Sequence, residues 1–145
     1  MLFFTGFSRF SSDIQVEAEK SLKSKQAQLL EMLSLVDDAE AVLTSKCDLN
    51  EFGRLLDYTW KLKRGITSKV STDSIDAVYE KAMKAGATGG KLLGAGGGGF
   101  LLFYVEPEKQ KKVHEVLKDF LYVPFEFETG GTRVIHYTPE SYEPR

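Results

Sequence analysis

Residues Gly89 to Gly99 carry the densest candidate for chemistry in this chain of 145 residues. Seven of those eleven are glycine, Lys91 stands among them, and Phe100-Leu101-Leu102-Phe103-Tyr104-Val105 follow directly. Glycine is used where φ must be positive or where a ligand must approach bare backbone. Successive backbone N–H groups in such a loop make a concavity for an anion, so the chemistry indicated is phosphate binding. Gly94, Gly96 and Gly99 satisfy G-x-G-x-x-G. That fingerprint, however, must follow a strand and open a helix, because the helix N-terminus carries the phosphate. Here an apolar strand follows, and no helix can start before Glu106. A Walker A loop fails as well, since no Gly-Lys-Ser/Thr closes the run. What remains is a glycine loop between two strands. A bulged hairpin that binds nothing would use glycine in the same place, so that reading stands beside the anion one.

Few other residues compete. Lys91 can touch a phosphate or sit solvated at a strand end. Arg9 follows a strand and a glycine, a good place for a sugar-phosphate anchor because guanidinium matches phosphate geometry; a surface ion pair is the alternative. Lys61, Lys63 and Arg64 cluster where cations complement a helix C-terminus without any ligand. Trp60 reads as core or interface, and Lys109 to Lys112 as a solvated helix face. His114 and His136 are 22 residues apart with no metal spacing, so no metal site is expected. The single cysteine, Cys47, permits no internal disulfide and is expected to be buried or half-buried at a helix end. That fits a reducing, cytoplasmic compartment. A net charge of −2 supplies no global field for nucleic acid. No stretch could span a bilayer, and Met1 to Gly6 is too short for a signal peptide.

These residues need a scaffold, and the pattern supplies an α+β one. Leu2 to Thr5 predicts a strand that Gly6 breaks. Phe7 to Phe52 lacks glycine and proline and predicts helix, with Ser12 and Gln15 as a capping box. Ile14, Ala18, Leu22, Leu29, Leu33 and Val36 follow helical spacing, and Asp37-Asp38 or Ser45 to Asp48 ends or bends it. A second helix starts at Asp48, with Leu49, Phe52, Leu55, Leu56 and Trp60 inward, and ends near Gly65. Thr72 lies in the cap of a third helix, in which Ile75, Val78, Tyr79, Ala82 and Met83 share a face and Gly86 is the stop. Leu92-Leu93 and Phe100 to Val105 are strands around the glycine loop. Pro107 opens a fourth helix with Val113, Val116, Leu117 and Phe120 inward. Val123, Phe125 and Phe127 alternate as a strand, and Gly130-Gly131 predicts a hairpin returning through Thr132 to Tyr137. The expectation is one domain over 1–137, a small antiparallel sheet with helices packed on one face, and a loose tail over 138–145.

The run Lys91-Leu92-Leu93-Gly94-Ala95-Gly96-Gly97-Gly98-Gly99, preceded by Thr72 to Asp76 and Ala85-Gly86-Ala87, resembles the third signature motif of the GHMP kinases. Phe4 to Arg9, Trp60 to Lys63 and Glu128 to Val134 resemble the branch of D-glycero-D-manno-heptose 7-phosphate kinases. The resemblance covers the whole chain and implies a ferredoxin-like C-terminal domain. It implies phosphoryl transfer from ATP, with Mg²⁺, to the anomeric hydroxyl of a seven-carbon sugar phosphate. It places Gly94, Gly96, Gly97, Gly98 and Gly99 in the nucleotide cleft, packed near the phosphate loop of an N-terminal kinase domain. Thr72, Asp73, Lys91 and Arg9 are then the candidates on the sugar side. The family's first two motifs, its catalytic aspartate and its lysine are missing. The chain is therefore expected to hold no catalytic residue, to leave ATP and Mg²⁺ mainly to the N-terminal domain, and to be inactive alone. Partners are the sugar phosphate, ATP and that domain, with a homodimer left open and no nucleic acid or membrane. A fucokinase-like sugar kinase and a small anion-binding or regulatory module remain as alternatives.

Overall fold

A computed structural model describes residues 1–7, 16, 19 and 22–137. The capping box, Arg9 and the tail over 138–145 lie outside the described residues. Among those described, four strands form one sheet: β1 (Leu2–Phe4), β2 (Gly89–Leu92), β3 (Phe100–Tyr104) and β4 (Leu121–Tyr122). The spatial order is β2-β3-β1-β4 and every neighbouring pair is antiparallel. Strand residues alternate between faces. Register sets Phe3 opposite Leu101 and Tyr122, and Leu92 opposite Leu101. Phe3, Leu92, Leu101 and Phe103 are all fully buried and make the core face. The other face pairs Phe4 with Phe100, ring centroids 5.1 Å apart, and leaves Phe100 38% and Leu121 65% exposed.

Helices α1 (Gln26–Thr44), α2 (Asn50–Arg64), α3 (Asp73–Ala85) and α4 (Pro107–Val116) accompany the sheet. A short 3-10 turn over Leu22–Lys25 leads into α1. The Thr72 hydroxyl caps α3 by accepting from the Ile75 N–H at 3.3 Å, and Gly86 stops it at φ 116°. Ile75, Val78, Tyr79, Ala82 and Ala85 of α3 join Val113 of α4 and Leu117 in one core with the sheet. α3 also packs on α4. Trp60 of α2 completes that core, fully buried, its ring 6.2 Å from Tyr79.

α2 runs along β2 and brings backbone onto backbone. A Cβ on Gly89 would lie 1.7 Å from the Gly53 carbonyl oxygen. The Tyr79 hydroxyl spans the same seam, 2.7 Å from Asp57 Oδ1 and 3.1 Å from the Gly90 carbonyl oxygen. Burial and the Asp57 carboxylate hold that phenol protonated, well above its ordinary range. α1 packs on α2 and has no buried residue of its own.

Several expectations are corrected. Gly89 and Gly90 belong to β2, and Leu93 lies beyond it. The break between α1 and α2 falls after Thr44, within the expected Ser45 to Asp48, but α2 begins at Asn50 and not Asp48, whose carboxylate accepts the Asn50 N–H at 3.0 Å in a turn before the helix. Leu49 is exposed, and Gly53 takes the inward position instead. Cys47 and Val116 are exposed. No strand forms over 123–137: pairing ends where the Val123 N–H donates to the Leu2 carbonyl at 2.9 Å. Phe127 and Ile135 are each 91% exposed, so their alternation finds no sheet surface to cover.

The seam between α2 and β2 is therefore the position least able to accept a methyl group. Gly89→Ala is expected to destabilise the fold by roughly 3 kcal/mol, since two backbones must separate and neither can rotate away. Urea unfolding measures it, and a midpoint equal to that of the parent chain would show that the seam is looser than described.

Candidate functional site

The glycine loop is positioned mainly by backbone contacts, with two side-chain hydrogen bonds added, from Thr5 and Lys63. Gly94, Gly96, Gly97 and Gly99 take φ of 75°, 124°, 72° and 100°, conformations side chains rarely adopt. The Gly97 N–H donates to the Val70 carbonyl at 2.9 Å. A Cβ on Gly96 would stand 2.7 Å from that oxygen and 2.8 Å from Val70 Cα. On the other side the Gly99 N–H donates to the Phe7 carbonyl at 3.0 Å, and the Gly99 carbonyl accepts from the Thr5 N–H at 2.8 Å. The Thr5 hydroxyl donates to the same carbonyl at 2.9 Å. A Cβ on Gly98 would meet the Phe7 carbonyl oxygen at 2.4 Å. The loop is thus clamped between the segment entering α3 and the segment leaving β1. The N–H groups of Gly94, Ala95, Gly96 and Gly98 take no bond among the described residues.

Charge gathers at the foot of this loop. The Lys63 ammonium, at the end of α2, donates to the Gly94 carbonyl. Burial holds it below the ordinary lysine range, and the Lys91 charge adds to the effect. Burial lowers Lys91 in the same direction. Neighbouring charges are paired: Lys61 with Asp57 at 2.6 Å, and Arg64 with Asp76 at 2.5 Å. Asp76 also accepts from the Ser71 hydroxyl at 2.6 Å, which ties the end of α2 to the start of α3. Among the described residues neither Lys63 nor Lys91 has a carboxylate partner. Lys91 lines a groove with Met32, Val36, Phe52 and Leu56, between α1 and α2.

Of the residues singled out in the sequence, the five glycines and Lys91 meet in this region. The Thr72 oxygen is engaged in capping α3, and Asp73 lies exposed in its first turn. No group of three His, Cys, Asp or Glu among the described residues could hold a metal ion. The sequence groups Lys63 with Lys61 and Arg64 as cations at a helix end and does not foresee its bond to the Gly94 carbonyl. The signal existed: Phe52, Leu56, Thr59 and Lys63 share one stripe of α2 at i, i+4, i+7 and i+11, and the first three line the groove that Lys91 enters.

Gly94 and Gly96 both have positive φ, but of the two only a Cβ on Gly96 would meet a neighbour within 4 Å. Changing each to Ala separates strain from contact. Gly94→Ala is expected to cost about 1 kcal/mol, and Gly96→Ala roughly 2 kcal/mol more because it also pushes Val70 away. Equal losses in urea melts would remove the clamp. A second expectation concerns pH. Lowered folded-state lysine values mean that the unfolded chain binds more protons over the alkaline window below the ordinary 10.5. Their contribution to stability therefore rises with pH across that window. Lys91→Met should flatten the rise relative to the parent chain; an unchanged pH profile of the melting temperature would contradict it.

Comparison with known proteins bears on this geometry. The family described as GHMP kinases C terminal matches residues 39–123, more than half of the chain. The Campylobacter jejuni protein named D-glycero-alpha-D-manno-heptose 7-phosphate kinase is 32% identical over 122 residues, which are 81% of this chain and 35% of that one. The Bacteroides fragilis L-fucokinase/L-fucose-1-P guanylyltransferase is 28% identical over 125 residues, 82% of this chain and 13% of the relative. The chain thus spans about a third or less of the length of these two relatives. Among solved structures, that of L. major mevalonate kinase in complex with R-mevalonate superposes with a TM-score of 0.68 at 23% identity, covering 81% of this chain and 37% of that one. That likeness shows the fold. The strand order, the glycine loop clamped before a buried strand, and these matches lead to one conclusion: the chain belongs to the GHMP kinase family and carries its C-terminal α+β domain.

Proposed function

We propose that this domain is the C-terminal half of an ATP-dependent sugar-phosphate kinase that phosphorylates the anomeric hydroxyl of D-glycero-D-manno-heptose 7-phosphate to the 1,7-bisphosphate. The observation that carries the reading is the clamped glycine loop, with N–H groups on Gly94, Ala95, Gly96 and Gly98 that are unbonded among the described residues. The Campylobacter jejuni relative supports the substrate. Phosphoryl transfer depends mainly on positioning and on neutralising phosphate charge. Bare N–H groups and nearby ammoniums do both without making or breaking a covalent bond.

In this reading Gly94, Gly96, Gly97, Gly98 and Gly99 line one wall of the cleft. Lys91, Thr72, Asp73 and Arg9 serve the sugar side. Asp73 is the only carboxylate in that set, too little for an octahedral Mg²⁺ site, so Mg²⁺ and most of the ATP contacts fall to an N-terminal kinase domain. The catalytic groups fall there too, in a cytoplasmic enzyme. A fucokinase-like activity, with an unphosphorylated sugar, is the second reading, and the Bacteroides fragilis relative favours it.

ADP release from ATP tests both, with the chain alone and with a separately expressed N-terminal half, against heptose 7-phosphate and against L-fucose. Turnover is expected only in the mixture and only with the heptose phosphate. Turnover on fucose would shift the substrate. Turnover by the chain alone would overturn the division of labour. Silence throughout would favour an anion-binding or regulatory module.

A further inference from the structure

We propose that Lys63 and Lys91 together form an anion site at the foot of the glycine loop, built to hold the phosphate group of a phosphorylated ligand. Four observations converge on it. The bond from Lys63 to the Gly94 carbonyl fixes one ammonium at the first residue of the loop. Lys91 stands on β2, three residues before the same glycine, close enough for its charge to act on Lys63. The neighbouring cations Lys61 and Arg64 already hold carboxylates, whereas these two hold none among the described residues. The Lys91 stem lies in the apolar groove with Met32, Val36, Phe52 and Leu56, which restrains where its head can go.

Two half-buried like charges side by side raise the free energy of the empty domain. A doubly charged phosphate offsets that cost. A lysine that served only as a strut to Gly94 would need no second cation beside it. The identity of the ligand rests on the kinase reading above; the anion site itself does not. The phosphate could be that of the sugar or that of the nucleotide.

Titration of the chain with inorganic phosphate, followed by NMR of the lysine ε-methylene groups, tests the site. Phosphate is expected to shift the Lys63 and Lys91 signals together. Lys63→Gln and Lys91→Gln, which keep a polar side chain but remove the charge, should each weaken binding by roughly tenfold or more. Lys63→Arg should retain most of it, and circular dichroism checks that each variant is folded. Competition by heptose 7-phosphate but not by ADP would give the site to the sugar's phosphate, and the converse to the nucleotide. Absence of phosphate binding, or binding unchanged in both Gln variants, would overturn the proposal. A phosphate site that persists beside a silent kinase assay would sink the kinase reading and leave this one. An active mixture whose chain binds no phosphate would do the reverse.

Discussion

The contact between Gly53 and Gly89 sets the geometry of everything around the loop. Where these two backbones touch, α2 and β2 start side by side. Ten residues later along the helix stands Lys63, about 15 Å on at 1.5 Å per residue. Five residues later along the strand stands Gly94, about 16 Å on at the rise of an extended chain. The two elements therefore run in the same direction and reach the same level, and there Lys63 meets the Gly94 carbonyl. Between the two ends, Tyr79 links Asp57 of the helix to Gly90 of the strand. A side chain at Gly89 would tilt α2 away, and a small tilt at the start of a helix becomes a displacement of several ångströms at its end.

The loop depends on the same kind of contact. Gly96 and Gly98 are needed for space, against Val70 and Phe7, while Gly94 and Gly99 are needed for conformation, since a Cβ on either would meet nothing within 4 Å. Most of the clamp is backbone on backbone, with Thr5 and Lys63 adding one side-chain bond each. It couples the loop to both of its neighbours, since Val70 leads directly into the capped start of α3 and Phe7 follows directly from β1.

What could be read in the sequence was whatever local chemistry decides. Thr72 as a cap, Gly86 as a left-handed stop and Pro107 as a helix start act within one turn, and each stands where expected. The strand after the glycine run was legible from its apolar continuity. Gly53 was not, because a glycine contributes nothing to a hydrophobic stripe; only the approach of β2 gives it a purpose. The stretch over 123–137 misled for the opposite reason. Its alternation is that of a strand, but alternation specifies a face only when a neighbouring strand supplies the ladder, and after Val123 none does. For the site, the glycines and Lys91 were legible from type and spacing. Lys63 was hidden by a sufficient local explanation, a cation complementing a helix end.

That last case separates two roles a cation can play at a helix C-terminus. Arg64 and Lys61 behave as the local explanation requires: both are at the end of α2, both reach a carboxylate, and both remain largely in solvent. Lys63 occupies the same turn but turns inward, into a place where its charge is less favourable. Helix geometry forces the difference. At about 100° per residue, Lys61 and Arg64 lie about 60° apart around the axis, while Lys63 lies about 160° from Lys61 and about 100° from Arg64, so a cluster contiguous in sequence is divided between solvent and groove. Solvent pairing explains Arg64 and Lys61 completely. It does not explain a lysine kept beside another lysine under a loop of bare N–H groups, where an uncharged donor would hold the Gly94 carbonyl with less cost. The charge itself is what the local fold does not need, and so it is the part of the arrangement that a bound anion accounts for.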